Sequence, residues 1–275
     1  MHAGVTIANH GDYADPSLLA DLAVAAEDTG WEGVFVWDHI ARSGQPAMTD
    51  PWIALAAIAT LTARVRIGPM VTPLARRRPW KVAREVTALD HLSAGRVTLG
   101  VGLGVHAEEF DAVGEEADPR RRAAMLEESL TLLRGFWSGQ PVTHEGEHYT
   151  VDGITHQPTP VQPHLPIWVA GVWPNRRPMA RAARFDGAFP IADGGMTPTL
   201  FGEVAAFIAE QGEGSVPTAG YDLVHEGLSA AGEEGAALAA TYADAGVTWW
   251  LERLRPEQRT PAQALERIAA GPPRH

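Results

Sequence analysis

Short, nearly all-apolar runs alternate along this chain with longer stretches of helical periodicity. The runs are Gly4–Asn9, Gly33–Trp37, Val65–Val71, Arg96–Gly102, Ile167–Gly171, Gly187–Ile191, Tyr221–Glu226 and Val247–Leu251. Strings such as VFVW, VRIG and VTLGVG suit strands buried on both faces of a parallel sheet rather than the alternating pattern of a half-exposed one. Eight such strands, each followed by a helix, predict an α/β protein of the (β/α)8 TIM-barrel class. A doubly wound open sheet would prefer fewer strands and a glycine fingerprint after the first, which is absent.

The helix starts agree with that count. Asp15-Pro16, Asp50-Pro51, Asp118-Pro119, Thr197-Pro198 and Thr260-Pro261 each put a capping side chain before a proline at the first helical position. After Pro119, Leu126, Leu130, Leu133 and Trp137 keep helical spacing until Gly139 stops the run. One interval breaks the rhythm. Between the fourth and fifth strands lie two helical stretches and then THEGEHYTVDG, which predicts a small hairpin excursion. A proline-rich run, QPTPVQPHLP, leads into strand five as an extended surface segment. No internal boundary stands out, so residues 1–275 are read as one domain.

Composition narrows the function classes. The chain has 275 residues, close to the roughly 250 of a typical barrel, and a core of that size needs no staple. It has no cysteine, which removes disulfides, thiolate metal sites and cysteine nucleophiles and fits a reducing compartment. The first residues carry no signal-peptide pattern and no run is long enough to span a bilayer, so a cytoplasmic protein is expected. A net charge of −12 argues against nucleic-acid binding.

In a barrel the site is built from residues just beyond the strands. Those positions carry Asn9, His10 and Asp12; Asp38 and His39; Gly102 to His106; and Gly171 to Arg177. His225 and Glu226 close the seventh strand. The histidines match no metal-ligand spacing, and no metal is assigned. Pro174-Asn175-Arg176-Arg177 opens a helix, where free N–H groups, the helix dipole and two guanidinium groups would meet an anion such as a phosphate. The competing reading leaves these arginines on a solvated helix face. Gly171 would let a ligand approach the backbone, and GVGLG at 100–104 reads as a strand end leaving room for a flat ligand. The run Arg76-Arg77-Arg78 is read first as a solvated or helix-end cluster, with a cofactor tail or a partner as alternatives.

The strings GWEGVFVWDHI (30–40), DPWIALAAIATLTARVRIGPMVTPLARRRPWKVARE (50–85), LDHLSAGRVTLGVGLG (89–104) and PIWVAGVWPNRRPMARAARFDGAFP (166–190) together resemble the luciferase-like monooxygenase superfamily. The likeness is collinear across about two thirds of the chain. It implies a luciferase-like barrel, commonly a homodimer, that holds FMN or the deazaflavin F420 across its strand ends. By the resemblance His39 is the histidine near the reactive edge of the ring, with proton transfer or anion stabilisation as its role. Asp38 beside it either sets that hydrogen bonding or caps the loop. Met70, Val71 and Thr72 would form the strand-three bulge under the ring, often with a non-proline cis peptide. Gly102 and Gly104 would border it, and Gly171, Trp173, Asn175, Arg176 and Arg177 would hold the phosphate.

Departures from the family pattern also count. Leu103-Gly104-Val105 stands where the deazaflavin sugar-phosphate dehydrogenases have Thr-Gly-Glu, so their carboxylate is missing unless Glu108 or Glu109 reaches in. The leading expectation is therefore a monooxygenase working on a small organic substrate with reduced FMN and O2, the flavin supplied by a separate reductase or acting by direct hydride transfer. F420-dependent hydride transfer is the alternative, and a non-catalytic flavin-binding barrel is the third reading. The substrate loops are expected near Gly44–Thr49, Val105–Gly114 and Gly194–Thr197. Trp37, Trp52 and Trp173 suggest an apolar substrate or, for the first two, a place in the core.

Overall fold

Five helices start where a capping side chain precedes proline. Asp15, Asp50 and Asp118 accept hydrogen bonds from the first free N–H groups of α1 (Pro16–Asp28), α2 (Pro51–Leu61) and α5 (Pro119–Trp137). Thr197 and Thr260 do the same for α7 (Pro198–Glu210) and α9 (Pro261–Ala269). The remaining helices are α3 (Pro79–Leu92), α4 (Glu108–Asp111), α6 (Arg176–Ala182) and α8 (Glu233–Asp244). The computed structural model describes residues 1–44, 47–211 and 220–273.

The strands are β1 (His2–Ile7), β2 (Gly33–Val36), β3 (Arg66–Pro69), β4 (Thr72–Pro73), β5 (Leu99–Gly102), β6 (Val142–Glu145) and β7 (Thr150–Ile154). They continue as β8 (Ile167–Val172), β9 (Gly187–Ile191), β10 (Asp222–Gly227) and β11 (Trp249–Leu254). Nine of them form one parallel sheet in the order β3-β2-β1-β11-β10-β9-β8-β5-β4, and β6 and β7 make the separate hairpin. A parallel bridge between Ile67 and Val97 brings the two ends of that order together, so the sheet is a nearly closed barrel. The predicted TIM-barrel class and the excursion between its fourth and fifth strands are both present.

Strand bounds shift by one to three residues from the sequence reading everywhere but Gly187–Ile191, and two of the differences bear on the fold. The third is not continuous over Val65–Val71: it stops at Pro69 and resumes at Thr72, with a non-proline cis peptide bond between Met70 and Val71. The eighth runs past Leu251 to Leu254. The added stretch carries Glu252, whose carboxylate is fully buried and paired with Arg259 at 2.6 Å and Arg267 at 3.4 Å.

The barrel interior holds a small aromatic core of its own. Phe35, Trp168 and Trp249 meet with ring centroids 5.1 to 6.1 Å apart. Met70 and Phe189 belong to this cluster and also border the cavity above it, so the core forms the floor of the site. A larger apolar layer lies between strands and helices. Among the described residues no helix is long and apolar enough to cross a membrane.

Candidate functional site

A cavity of about 450 Å³ opens at the C-terminal ends of the barrel strands, within the range of small-ligand sites. Its two sides differ in chemistry. The ends of β3, β5, β8 and β9 present Met70, Val71, Leu103, Ala170, Phe189 and Ile191. The ends of β2, β10 and β11 present Trp37, His39, Arg42, Glu226 and Arg255.

His39 stands three residues beyond β2. Asn9, fully buried beyond β1, fixes this segment by donating from Nδ2 to the carbonyls of His39 and Thr49, each at 2.8 Å. The His39 ring meets Glu109, with Nδ1 to Oε1 at 3.1 Å. Glu109 is brought back to the site by the short helix α4, and its side chain is 1% exposed. Burial pushes its carboxyl up, but hydrogen bonds from His39 and the Ile40 N–H and the charges of His39 and Arg76 outweigh this and hold it at about 2. Glu109 is thus a permanent anion at neutral pH. With Nδ1 occupied, the Nε2 atom of His39 is the one left for cavity chemistry.

Asp38 also borders the cavity, but its carboxylate is fully buried. Its carboxylate accepts a hydrogen bond from Thr72 and is gripped by Arg76 at 2.9 Å and by Arg77 through both oxygens at 2.8 to 3.1 Å. Arg76 also reaches Glu109 at 3.2 Å, which links the two carboxylates. The arrangement gives Asp38 a structural hold and no free lone pairs for a substrate. It also corrects the reading of the arginine run: Arg76 is 5% exposed and works inside the site, Arg77 lies over the Trp52 ring at 5.5 Å, and only Arg78 is a solvated helix-end residue.

Two further imidazoles stand near His39. His106 has its ring centroid 5.1 Å away, and burial followed by the neighbouring His39 holds it below its ordinary range. His10 lies 6.4 Å away and is pushed down to about 4 by burial and then by Arg42, which contacts its Nε2 at 2.6 Å. Both are neutral near pH 7.

The expected cofactor residues divide. Met70, Val71, Gly102, Gly104, Gly171 and Asn175 border the cavity. Thr72 is buried beneath it as the partner of Asp38. Arg176 and Arg177 are exposed and outside the lining, with Arg176 set over the Phe207 ring at 5.4 Å. Trp173 turns away into the core, where its Nε1 donates to Glu203 at 3.1 Å, so its side chain is a packing element. The glycines are also explained differently. A Cβ on Gly102 would meet Val71 at 2.9 Å, on Gly104 (φ +79°) the Phe110 ring at 2.6 Å, and on Gly171 the Pro178 Cβ at 2.3 Å. The room they leave is filled by protein, and they admit a ligand only through the backbone surface that remains.

Of the expected substrate loops, the 105–114 segment supplies Val105, His106 and Glu109 to the cavity. Gln45 and Pro46 of the 44–49 segment lie outside the described residues. Met196 of the 194–197 segment is buried under Tyr242, whose hydroxyl donates to the Met196 carbonyl at 3.0 Å. The sequence reading named Glu226 only as a strand end and Arg76 only within a basic run, and it did not bring out Arg42 or Arg255. No local spacing connects them, since each reaches the site from a different strand.

The apolar floor and its bordering backbone suit the face of a planar heterocycle. An anionic tail leaving that floor would meet Asn175 and then the exposed Arg176 and Arg177. The donor set therefore fits a flavin or deazaflavin.

Comparison with known proteins agrees with this geometry. The family described as luciferase-like monooxygenase matches residues 1–224. An F420-dependent glucose-6-phosphate dehydrogenase of Nakamurella multipartita is 36% identical over 196 residues, covering 68% of this chain and 55% of that protein. The chain therefore aligns with little more than half of that relative. An uncharacterized protein of Mycobacterium bovis is 37% identical over 203 residues, 66% of this chain and 70% of that one. Among solved structures, an F420-dependent secondary alcohol dehydrogenase in complex with an F420-acetone adduct superposes with a TM-score of 0.80 at 19% identity, covering 98% of both chains.

Proposed function

The chain belongs to the luciferase-like monooxygenase family and is an oxidoreductase of that kind, and we propose that its cofactor is F420 and its reaction a hydride transfer at a carbon that carries oxygen. This reverses the preference for reduced FMN drawn from the sequence alone. Several relatives at 34 to 36% identity are F420-dependent glucose-6-phosphate dehydrogenases, which supports the deazaflavin. The observation that carries the reaction type is the His39–Glu109 pair at the edge of an apolar floor.

Bound on that floor, F420 would supply the two-electron, hydride-accepting chemistry. The chain supplies the rest. Oxidation of a carbinol also releases the hydroxyl proton, and Nε2 of His39 is the atom placed to take it. Glu109 keeps the imidazole turned toward the cavity and stabilises the charge that proton brings. Met70, Val71, Ala170 and Phe189 keep water from the reacting centre. Val105, where the sugar-phosphate dehydrogenases carry a carboxylate, is exposed and apolar. Glu109 does not replace it, because its oxygens are committed to His39, Ile40 and Arg76, and Glu108 is taken by the Ser43 N–H at 2.7 Å. A glucose-6-phosphate dehydrogenase activity is accordingly not carried over.

Anaerobic fluorescence titration of the purified protein with F420 and with FMN tests the cofactor. F420 is expected to bind at least about ten-fold tighter, or about 1.4 kcal/mol. Selective FMN binding, with O2 consumption when reduced FMN is added, would restore the monooxygenase reading.

A further inference from the structure

The wall of the cavity opposite the apolar floor holds a carboxylate with one oxygen in use and one to spare. Glu226 lies at the end of β10, and its side chain is 13% exposed. Its Oε1 accepts hydrogen bonds from the Thr6 hydroxyl at 2.6 Å and the Trp37 indole N–H at 3.0 Å. Its Oε2 has Arg253 as its ion-pair partner at 3.9 Å, too far for a hydrogen bond. Two donors from different strands thus fix the carboxylate, and its second oxygen keeps acceptor capacity in a space that a bound substrate would clear of water.

Charge decides what can be placed there. A carboxylate in a partly dry site attracts an O–H or N–H donor and repels a second anion. Arg42 and Arg255 border the same cavity, with Glu257 3.4 Å from one and 3.9 Å from the other, so one carboxylate offsets one of the two charges. Each arginine therefore has a carboxylate neighbour, and Glu226 also acts on Arg255.

We propose that Glu226 is a specificity-determining residue that accepts a hydrogen bond from a hydroxyl of the substrate, selecting neutral alcohols and polyols over phosphorylated or carboxylated ones. This rests on the reading of the cavity as the substrate site. It gives the oxidised carbinol, or a hydroxyl beside it, a fixed acceptor on the side away from the apolar floor. The group Glu226 rejects is the one that relatives named for glucose 6-phosphate must accept.

The probes are cyclohexanol, glucose and glucose 6-phosphate. Binding is followed by tryptophan fluorescence with and without F420, and Trp37→Phe identifies the signal from the site. Wild type is expected to bind at least one neutral probe and to favour glucose over glucose 6-phosphate. Glu226→Gln should weaken the neutral probe on the order of ten-fold, the scale of a lost charge-assisted hydrogen bond, and raise KM for turnover far more than it lowers kcat. Glu226→Lys should reverse the preference toward the phosphate ester. Unchanged neutral-probe affinity in Glu226→Gln, a wild-type preference for glucose 6-phosphate, or no binding of either neutral probe overturns the proposal. F420 affinity is measured on the same preparations. Its absence in wild type defeats the cofactor reading and leaves the alcohol titration to decide this one.

Discussion

The Nδ1 atom of His39 lies 3.1 Å from Oε1 of Glu109, although 70 residues separate them in the chain. The contact fixes which ring nitrogen faces the cavity, and Arg76 on the other Glu109 oxygen keeps the carboxylate from turning away. Glu109 is therefore a positioning residue for His39. Glu109→Gln keeps the size and one acceptor but removes the charge. It should lower kcat by about 10- to 100-fold while KM and F420 affinity move by less than about three-fold. Steady-state kinetics beside a cofactor titration check this. A parallel loss of cofactor binding would assign Glu109 to holding the loop instead.

Asp38 makes a contrasting case, because its partners make it a structural anion. Arg76 and Arg77 both converge on a carboxylate with no exposed surface. Asp38→Asn removes the carboxylate that Arg77 is paired with and leaves Arg76 with Glu109 alone. The expected cost is about 3–5 kcal/mol, the scale for breaking a buried ion pair from one side. Urea unfolding of wild type and variant measures it. A loss of turnover at unchanged stability would instead give Asp38 a direct part in the reaction.

Local signals carried much of the fold. The five capped prolines, the eight apolar runs and the hairpin are short-range patterns that need no knowledge of the partner element. Where the reading went astray, a long-range partner was responsible. The eighth strand was read three residues short, and the stretch beyond Leu251 holds a buried Glu252 compensated by Arg259 and Arg267 from the following segment. Arg76 and Arg77 looked like surface because nothing in their own stretch announces Asp38. At the site, His39 and the strand-three bulge stood out through family resemblance, and Glu226 was visible as a strand end. Its role depends on Thr6 and Trp37, 220 and 189 residues away, and that proximity exists only in the closed barrel.

Gly171 gives a test of backbone packing at the expected tail site. A methyl group there would lie 2.3 Å from the Pro178 Cβ and 2.7 Å from the Met179 Cε. Proline at that position cannot turn aside, so α6 must shift outward. Gly171→Ala should destabilise the protein by about 1–3 kcal/mol, the usual cost of overpacking. It should also weaken F420 binding, because Asn175 caps the helix that moves. Thermal unfolding and the fluorescence titration give the two readouts. Full stability and full affinity together would mean that the helix does not rest on this glycine.

Acid should unfold this protein early, and His225 provides the sharpest test. Its ring is 7% exposed, stacked on Tyr242 at 4.2 Å and edge-on to Trp250 at 5.0 Å. Burial, with Arg253 adding to it, pushes the imidazole down from 6.5 to about 3. The folded state therefore keeps this histidine neutral, while the unfolded chain binds a proton below pH 6.5. The stability it contributes is full above pH 6.5 and is lost as the pH falls toward 3, with a slope of up to about 1.4 kcal/mol per pH unit for one proton. His10, at about 4, acts in the same direction between pH 6.5 and 4. Glu109, at about 2, adds its loss between pH 4.5 and 2. His225→Phe preserves the aromatic stack without a titrating group. Urea unfolding at pH 7, 5.5 and 4.5, which covers the upper part of the His225 range, should show a steeper fall for wild type than for the variant. Parallel curves would mean that His225 takes up its proton in the folded state as readily as in the unfolded one.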